Sequence, residues 1–351
     1  VLVVGTHSVH VRRFVAGLCT AGHPVVLATD QPAPLVEHPL LREQIEVDFA
    51  VRRLATPAKL RACIARWQPR VVHAHQGNSV AWHAARGAAD TGVPLVLTLW
   101  GSDVLLTPQI SRFHRWMVRS SLRAAALWTA DSAHVLRRAR ALAGVARPTA
   151  LVVMGVDHRP EDLRSAWPDK QPRILSCRLH KPLYRVDRII TAYAELAPRH
   201  PGWRLEVAAS GPQTQALTAL ARGSGAAGGI EFTGFLDASA MVRSHRAAQV
   251  YVSFPESDGT SVSLLEAMAQ GCCPVVSDLA ANREWIVDGL NGVVVAQPED
   301  LAAAIERAIA MSGSERWREE TAPANLRLVR EKATFADNIA QFIAQYARLG
   351  R

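Results

Sequence analysis

The chain has 351 residues, 49% apolar and 20% charged, a balance that fits a folded protein with length for two cores and excludes a disordered chain. No apolar run reaches about 18 residues, so no spanning helix is expected; five scattered cysteines without a C-x-x-C argue against a disulfide frame or structural zinc and for a reducing, cytoplasmic setting. The net charge of +9 asks for a polyanionic partner such as nucleotide phosphate or anionic lipid. Nucleic acid is not expected, because the arginines lie along helices without aromatic-interleaved strands.

In chain order, Val1–Val4 opens as a buried strand without a signal-peptide layout. It runs into Gly5-Thr6-His7-Ser8, then helical spacing through Phe14, Val15 and Leu18, then a strand at Val25–Ala28. Only Gly5 of the dinucleotide fingerprint is present. Strands are predicted at 71–75, 94–100, 127–130 and 150–153, with helices at 80–91, 111–126 and 133–142 between them. This alternation predicts a doubly wound parallel-sheet domain over 1–160. The Pro-rich stretch Asp157–Pro172 reads as a linker.

A second α/β series occupies 161–325. Its predicted strands are 173–176, 204–208, 230–232, 250–252, 274–276 and 292–295. Its predicted helices lie near 186–198, 213–222, 238–246, 261–270, 280–287 and 299–311. Within 326–351, Phe335, Ile339, Phe342, Ile343 and Tyr346 recur at helical spacing, as expected of a helix that packs back on the first domain.

The most informative segment follows the fourth strand of this second series. Asp258 and Glu266 stand with seven residues between them, in a polar loop entering a helix near Ser261. A helix start offers unpaired N–H groups and a positive dipole end to an anion. A carboxylate a turn and a half further on can read neutral hydroxyls. Together these suit a nucleotide diphosphate carrying a sugar, although a plain strand–loop–helix unit has the same spacing.

This segment, with Ala267-Met268-Ala269, Gly271, the strand Pro274–Ser277 and the block Glu284-Trp285-Ile286-Val287-Asp288-Gly289-Leu290-Asn291-Gly292, resembles the signature of the family-4 retaining glycosyltransferases. The resemblance covers nearly the whole chain and implies the GT-B fold, two Rossmann-like domains facing a cleft. It implies that Asp258, in place of the usual Glu, faces the donor sugar and Glu266 the ribose. Gly259, Thr260, Ser261 and Val262 would line the sugar and phosphates. Arg178 matches the family's diphosphate-gripping Arg, but Tyr184 stands where its Lys is expected and Arg185 where a Gly is. Lys181 or Arg185 then remain as candidates for the second cation. Gly211, Gly234 and Phe235 would border the phosphate rim and the base. In the first domain, Trp100-Gly101-Ser102-Asp103 resembles a loop at the donor sugar and acceptor, so Asp103 joins Arg178, Asp258 and Glu266 as a candidate catalytic residue. Gly5, His7, His10, His73, His75 and Trp100 are the acceptor-side candidates. No metal or cofactor is expected.

Arg112, Arg115, Arg119 and Arg123 form a basic stripe beside Phe113 and Trp116, suited to an anionic membrane or a pyrophosphate-linked lipid acceptor, and equally to a solvated face. The function implied is sugar transfer from a nucleotide-diphosphate sugar to a hydroxyl of a glycan or lipid-linked acceptor, in bacterial polysaccharide assembly. The alternatives are a non-catalytic nucleotide-sugar binder and a GT-B sugar epimerase.

Overall fold

In this computed structural model, which describes residues 1–31, 38–157 and 164–349, thirteen strands pair in parallel within two sheets. The first sheet contains β1 (Leu2–Val4), β2 (Val25–Thr29), β3 (Leu41–Glu46), β4 (Val72–His75), β5 (Leu95–Leu99), β6 (Leu127–Ala130) and β7 (Thr149–Leu151), in the order β3-β2-β1-β4-β5-β6-β7. β1, β2, β4, β5 and β6 are buried at every residue, as strands covered by helices on both faces must be.

The second sheet contains β8 (Gln171–Ser176), β9 (Arg204–Ala208), β10 (Ile230–Gly234), β11 (Ala248–Ser253), β12 (Cys273–Ser277) and β13 (Val293–Val295), in the order β10-β9-β8-β11-β12-β13. Each order reverses at its middle, between β1 and β4 and between β8 and β11. In open parallel sheets, ligands bind outside the carboxyl ends of the strands at such a reversal.

The backbone clusters into two units, Val1–Met154 with the segment from Phe335 onward, and Gly155–Thr334. The helix Phe335–Leu349 lies against Val9–Thr20, where Gly17 makes room: a Cβ there would come within 2.8 Å of Ile339 and 2.9 Å of Phe335. Phe342 meets Phe14 edge-on at 5.0 Å, and Asn338 Nδ2 donates to Val153 O at 2.9 Å.

Several elements differ from those predicted. β3 and the helix Ala55–Trp67 have no predicted counterpart. β3 is an edge strand of sequence Leu-Arg-Glu-Gln-Ile-Glu, only half-buried, so it lacks an apolar run. The predicted helix 280–287 is only the 3₁₀ turn Asn282–Glu284. The Asn291 side chain accepts from Val287 N at 2.7 Å, and Gly289 takes φ 72°, so the chain turns toward β13 instead of continuing a helix. Trp317–Thr321 and Ala322–Lys332 are helical although unpredicted; Pro323 interrupts the pattern but sits in a first turn, where proline is tolerated. Of the predicted linker, residues 158–163 lie outside the described residues, Arg164–Asp169 is a 3₁₀ helix, and Gln171 already begins β8.

Candidate active site

In the second unit, β8 and β11 are neighbours, with Leu175 opposite Tyr251. Their loops therefore meet, and Arg178 from the first reaches Asp258 and Ser261 from the second. Arg178 Nη2 lies 2.7 Å from Asp258 Oδ2, Nη1 donates to Ser261 Oγ, and the guanidinium covers the Tyr184 ring at 4.4 Å. The pair is largely withdrawn from solvent, with Arg178 11% and Asp258 18% exposed. Burial pushes the Asp258 carboxyl up and the guanidinium pulls it back only in part. For Arg178, burial opposes the charge but Asp258, Tyr251 and Tyr184 outweigh it, raising its pKa.

The helix Val262–Ala269 starts directly beyond this pair. Ser261 holds the N-cap position without capping, because its hydroxyl is taken by Arg178 and by Ser263 Oγ at 2.9 Å. Tyr251 OH extends the chain to Ser263 Oγ at 2.7 Å. No acceptor among the described residues takes the N–H groups of Val262 and Ser263, which is the anion-receptive end expected of this segment. Gly259 and Thr260 are buried beside them, Thr260 Oγ1 accepting from Trp285 Nε1 at 3.1 Å. Glu266 is half-buried on the same helix and, after burial, its charge helps push the Cys177 thiol up to about 12.

The two candidates for the second cation part company. Arg185 donates to Phe254 O at 3.1 Å and Pro255 O at 3.4 Å and stacks on the Phe254 ring at 4.3 Å, so its charge serves the β11 loop. It also holds φ 47°, a left-handed conformation that glycine adopts freely. Lys181 is exposed, and among the described residues its ammonium has no partner. Gly211 is required by packing, since a Cβ would lie 2.6 Å from His180 O. Gly234 has φ 69° with open space around it, and the next side chain, Phe235, is 71% exposed.

In the first unit the candidates gather at the ends of β1, β4 and β5. Gly5 lets the helix Val9–Thr20 start close, a Cβ there meeting Val11 at 2.7 Å. His10 and His75 stand near Trp100, with ring centres 5.3 and 6.0 Å from it. Among the described residues, His7 Nδ1, Trp100 Nε1 and both His75 nitrogens are buried without a hydrogen bond. Burial, then His10, lowers His75 to about 3. His73 is instead satisfied, at 2.5 Å from Tyr346 OH and 2.6 Å from Thr98 Oγ1, and fully buried in the core. Asp103 is 2% exposed and accepts from Gly77 N at 2.6 Å, Trp100 N at 3.1 Å and Val104 N at 3.0 Å, so its carboxylate ties together the loops after β4 and β5.

Sequence reasoning missed Tyr184 as a platform for Arg178, and missed Ser263, Tyr251 and Trp285 as supports of the loop. The run Ser261-Val262-Ser263 carried a signal for a hydroxyl pair; nothing in the sequence signalled Trp285.

A pair of Rossmann-like sheets in one chain, the second with an arginine over a helix start at its switch point, defines the GT-B class. A family model described as "Glycosyl transferases group 1" matches residues 159–323, and another, "Glycosyl transferase 4-like", matches residues 1–132. Glycogen synthase of Mycobacterium tuberculosis is 28% identical, over 86% of this chain and 81% of that protein. An exopolysaccharide phosphotransferase of Streptomyces coelicolor is 35% identical over 128 residues, which span 35% of this chain and only 13% of that protein. Among solved structures, sucrose-phosphate synthase from Thermosynechococcus elongatus superposes with a TM-score of 0.81 at 18% identity, covering 99% of this chain and 98% of that one. HepE from Anabaena, in complex with UDP and glucose, gives 0.78 at 13% identity over 99% of each chain. The chain belongs to the family-4-like glycosyltransferases of the GT-B superfamily.

Proposed function

We propose that the protein transfers a sugar from a nucleotide-diphosphate donor to a hydroxyl of a glycan or lipid-linked acceptor, with retention at the anomeric carbon and without a metal, in polysaccharide or glycan-lipid assembly at a membrane surface. The observation that carries this reading is Arg178 set over the unpaired N–H groups at the start of Val262–Ala269, with Asp258 beside it. A diphosphate in that place meets a guanidinium and a helix dipole together, and both stabilise the charge that grows as the nucleotide leaves. In this reading Glu266, half-buried on the same helix, takes the ribose hydroxyls, and the exposed ring of Phe235 borders the base. In the first unit, Gly5, His7 and His10 after β1 and Trp100 after β5 form the acceptor side in this reading. The acceptor attacks from the face the nucleotide leaves.

The test is turnover against a panel of nucleotide sugars, with the anomer of the product read by NMR. Arg178→Ala should lower kcat at least about a hundredfold, with Arg178→Lys retaining part of it; Glu266→Ala should weaken donor use. Wild-type turnover in both alanine variants would remove the assignment. One observation favours a second reading, a non-catalytic nucleotide-sugar binder: Asp258 already neutralises Arg178, and Tyr184 replaces the expected lysine. Donor binding without nucleotide release, with or without acceptor, would establish that reading.

A further inference from the structure

The predicted four-arginine stripe does not survive as one face. Arg123 Nε donates to Ala143 O at 2.8 Å, and the Arg119 and Arg123 guanidinium groups both lie beside Gly144, against the helix Ala133–Ala143. Arg112 and Arg115 remain exposed, and among the described residues their guanidinium groups have no partner.

They belong to a different and broader surface. The helices Ala55–Trp67, Ser79–Ala88 and Arg112–Ala124 bury Leu60, Ala84 and Met117 in one core, so their outer sides lie together. Trp116 packs edge-on against Trp82 at 5.0 Å, and the Arg86 guanidinium covers the Trp82 ring at 5.0 Å. Between the segment Val51–Pro57 and these aromatics runs an open groove of about 650 Å³, and a second of about 690 Å³ adjoins it through Leu54, Pro57 and Arg86. Four large apolar side chains stand out on or beside the grooves: Leu54 is 78% exposed, Ile110 67%, Trp116 52% and Phe113 46%. The three helices contain no Asp or Glu at all.

We infer that this face of the first unit docks on a bilayer leaflet rich in anionic lipid. Exposed apolar side chains cost free energy in water and are relieved by the acyl boundary, while surrounding guanidinium groups meet lipid phosphates. Trp116 has the amphipathic ring that settles at a headgroup interface. Charge complementarity selects the occupant: the three helices carry arginine and no carboxylate, and Asp48, next to the groove, is already paired with Arg53, so the face fits a surface that is negative everywhere, whereas a second copy of the same face would bring arginine against arginine. The attachment is peripheral, as no helix among the described residues is long and apolar enough to cross a membrane.

Co-sedimentation of the full chain with phosphatidylcholine vesicles, with and without about one third phosphatidylglycerol, tests this. The protein should pellet with the anionic vesicles only, and high salt should release it. Arg112→Glu/Arg115→Glu and, separately, Phe113→Ser/Trp116→Ser should each lower partitioning by about tenfold or more. Arg112 and Arg115 are exposed, so an unchanged melting curve should accompany the loss in their double variant; the aromatic variant gives up the contact with Trp82 and is compared at a temperature where both proteins are folded. A wild-type protein that ignores anionic vesicles, or variants that bind as well as it does, would overturn the inference. So would a wild-type protein that instead self-associates, with the same variants abolishing that. The assay needs neither donor nor acceptor, so its failure is separate from failure of the transfer reaction.

Discussion

Lys181 and Arg185, four residues apart after β8, show how identical charge can do different work. Arg185 is spent on two carbonyls and a ring of the β11 loop, and holds a left-handed backbone to reach them. Arg185→Ala keeps the unfavourable φ but removes the bonds, so stability should fall by roughly 1–3 kcal/mol in denaturant melts. Arg185→Gly should recover part of that loss, because glycine adopts this φ freely. Lys181→Ala should leave the melt unchanged and instead lower kcat/KM for the donor about tenfold, as expected for loss of a solvent-screened cation near a diphosphate. The reverse pattern, with Lys181 controlling stability and Arg185 donor use, would exchange their roles. Motif alignment alone left the two equal, since it reports spacing and not which backbone carbonyls lie within reach.

At the scale of elements, legibility followed burial. Runs such as Val25–Ala28 and Val250–Val252 are apolar throughout because helices cover both faces of their strands, and they were read within one or two residues. β3 was invisible because an edge strand needs no such run. In the second unit, the loop and helix start that bring Asp258 and Ser261 to Arg178 were legible as a strand–loop–helix unit, because one loop and one strand end suffice to place them. The hydrogen bonds of Asp103 and His73 were not legible because partners come from other elements: Gly77 after β4 for the first, Thr98 on β5 and Tyr346 in the last helix for the second. The last helix was legible from its spacing, and its seat depends on Gly17. A valine there would press on Ile339 and Phe335 and should cost about 1–3 kcal/mol, read as a lower melting temperature and faster hydrogen exchange in Phe335–Leu349. Gly17→Val with unaltered exchange in that helix would mean the contact is looser than its distances.

For the whole molecule, the buried histidines set an acid limit that net charge alone would not suggest. Burial, then His75, holds His73 well below its ordinary value, and burial, then His10, takes His75 to about 3. In the second unit burial takes His245 to about 4, so both units carry the same liability. Once unfolded, all three accept protons near pH 6.5. Between that value and their folded values the unfolded chain binds more protons, so stability falls as pH drops and returns as it rises. Each histidine contributes a slope approaching about 1.4 kcal/mol per pH unit. Asp103 and Asp258 act in the opposite sense, because burial raises both; the folded chain takes up their protons first, which offsets part of the loss as the carboxylate range is approached. The window from about pH 6.5 down to 5 therefore belongs mainly to the histidines. Urea melts should show a clearly lower midpoint at pH 5.5 than at 7.5. His75→Leu should flatten that dependence by about one proton's worth and leave stability at pH 7.5 equal or higher, because it removes two buried nitrogens that lack hydrogen bonds. An unchanged pH slope in His75→Leu would mean that His75 is already protonated, or open to water, in the folded chain.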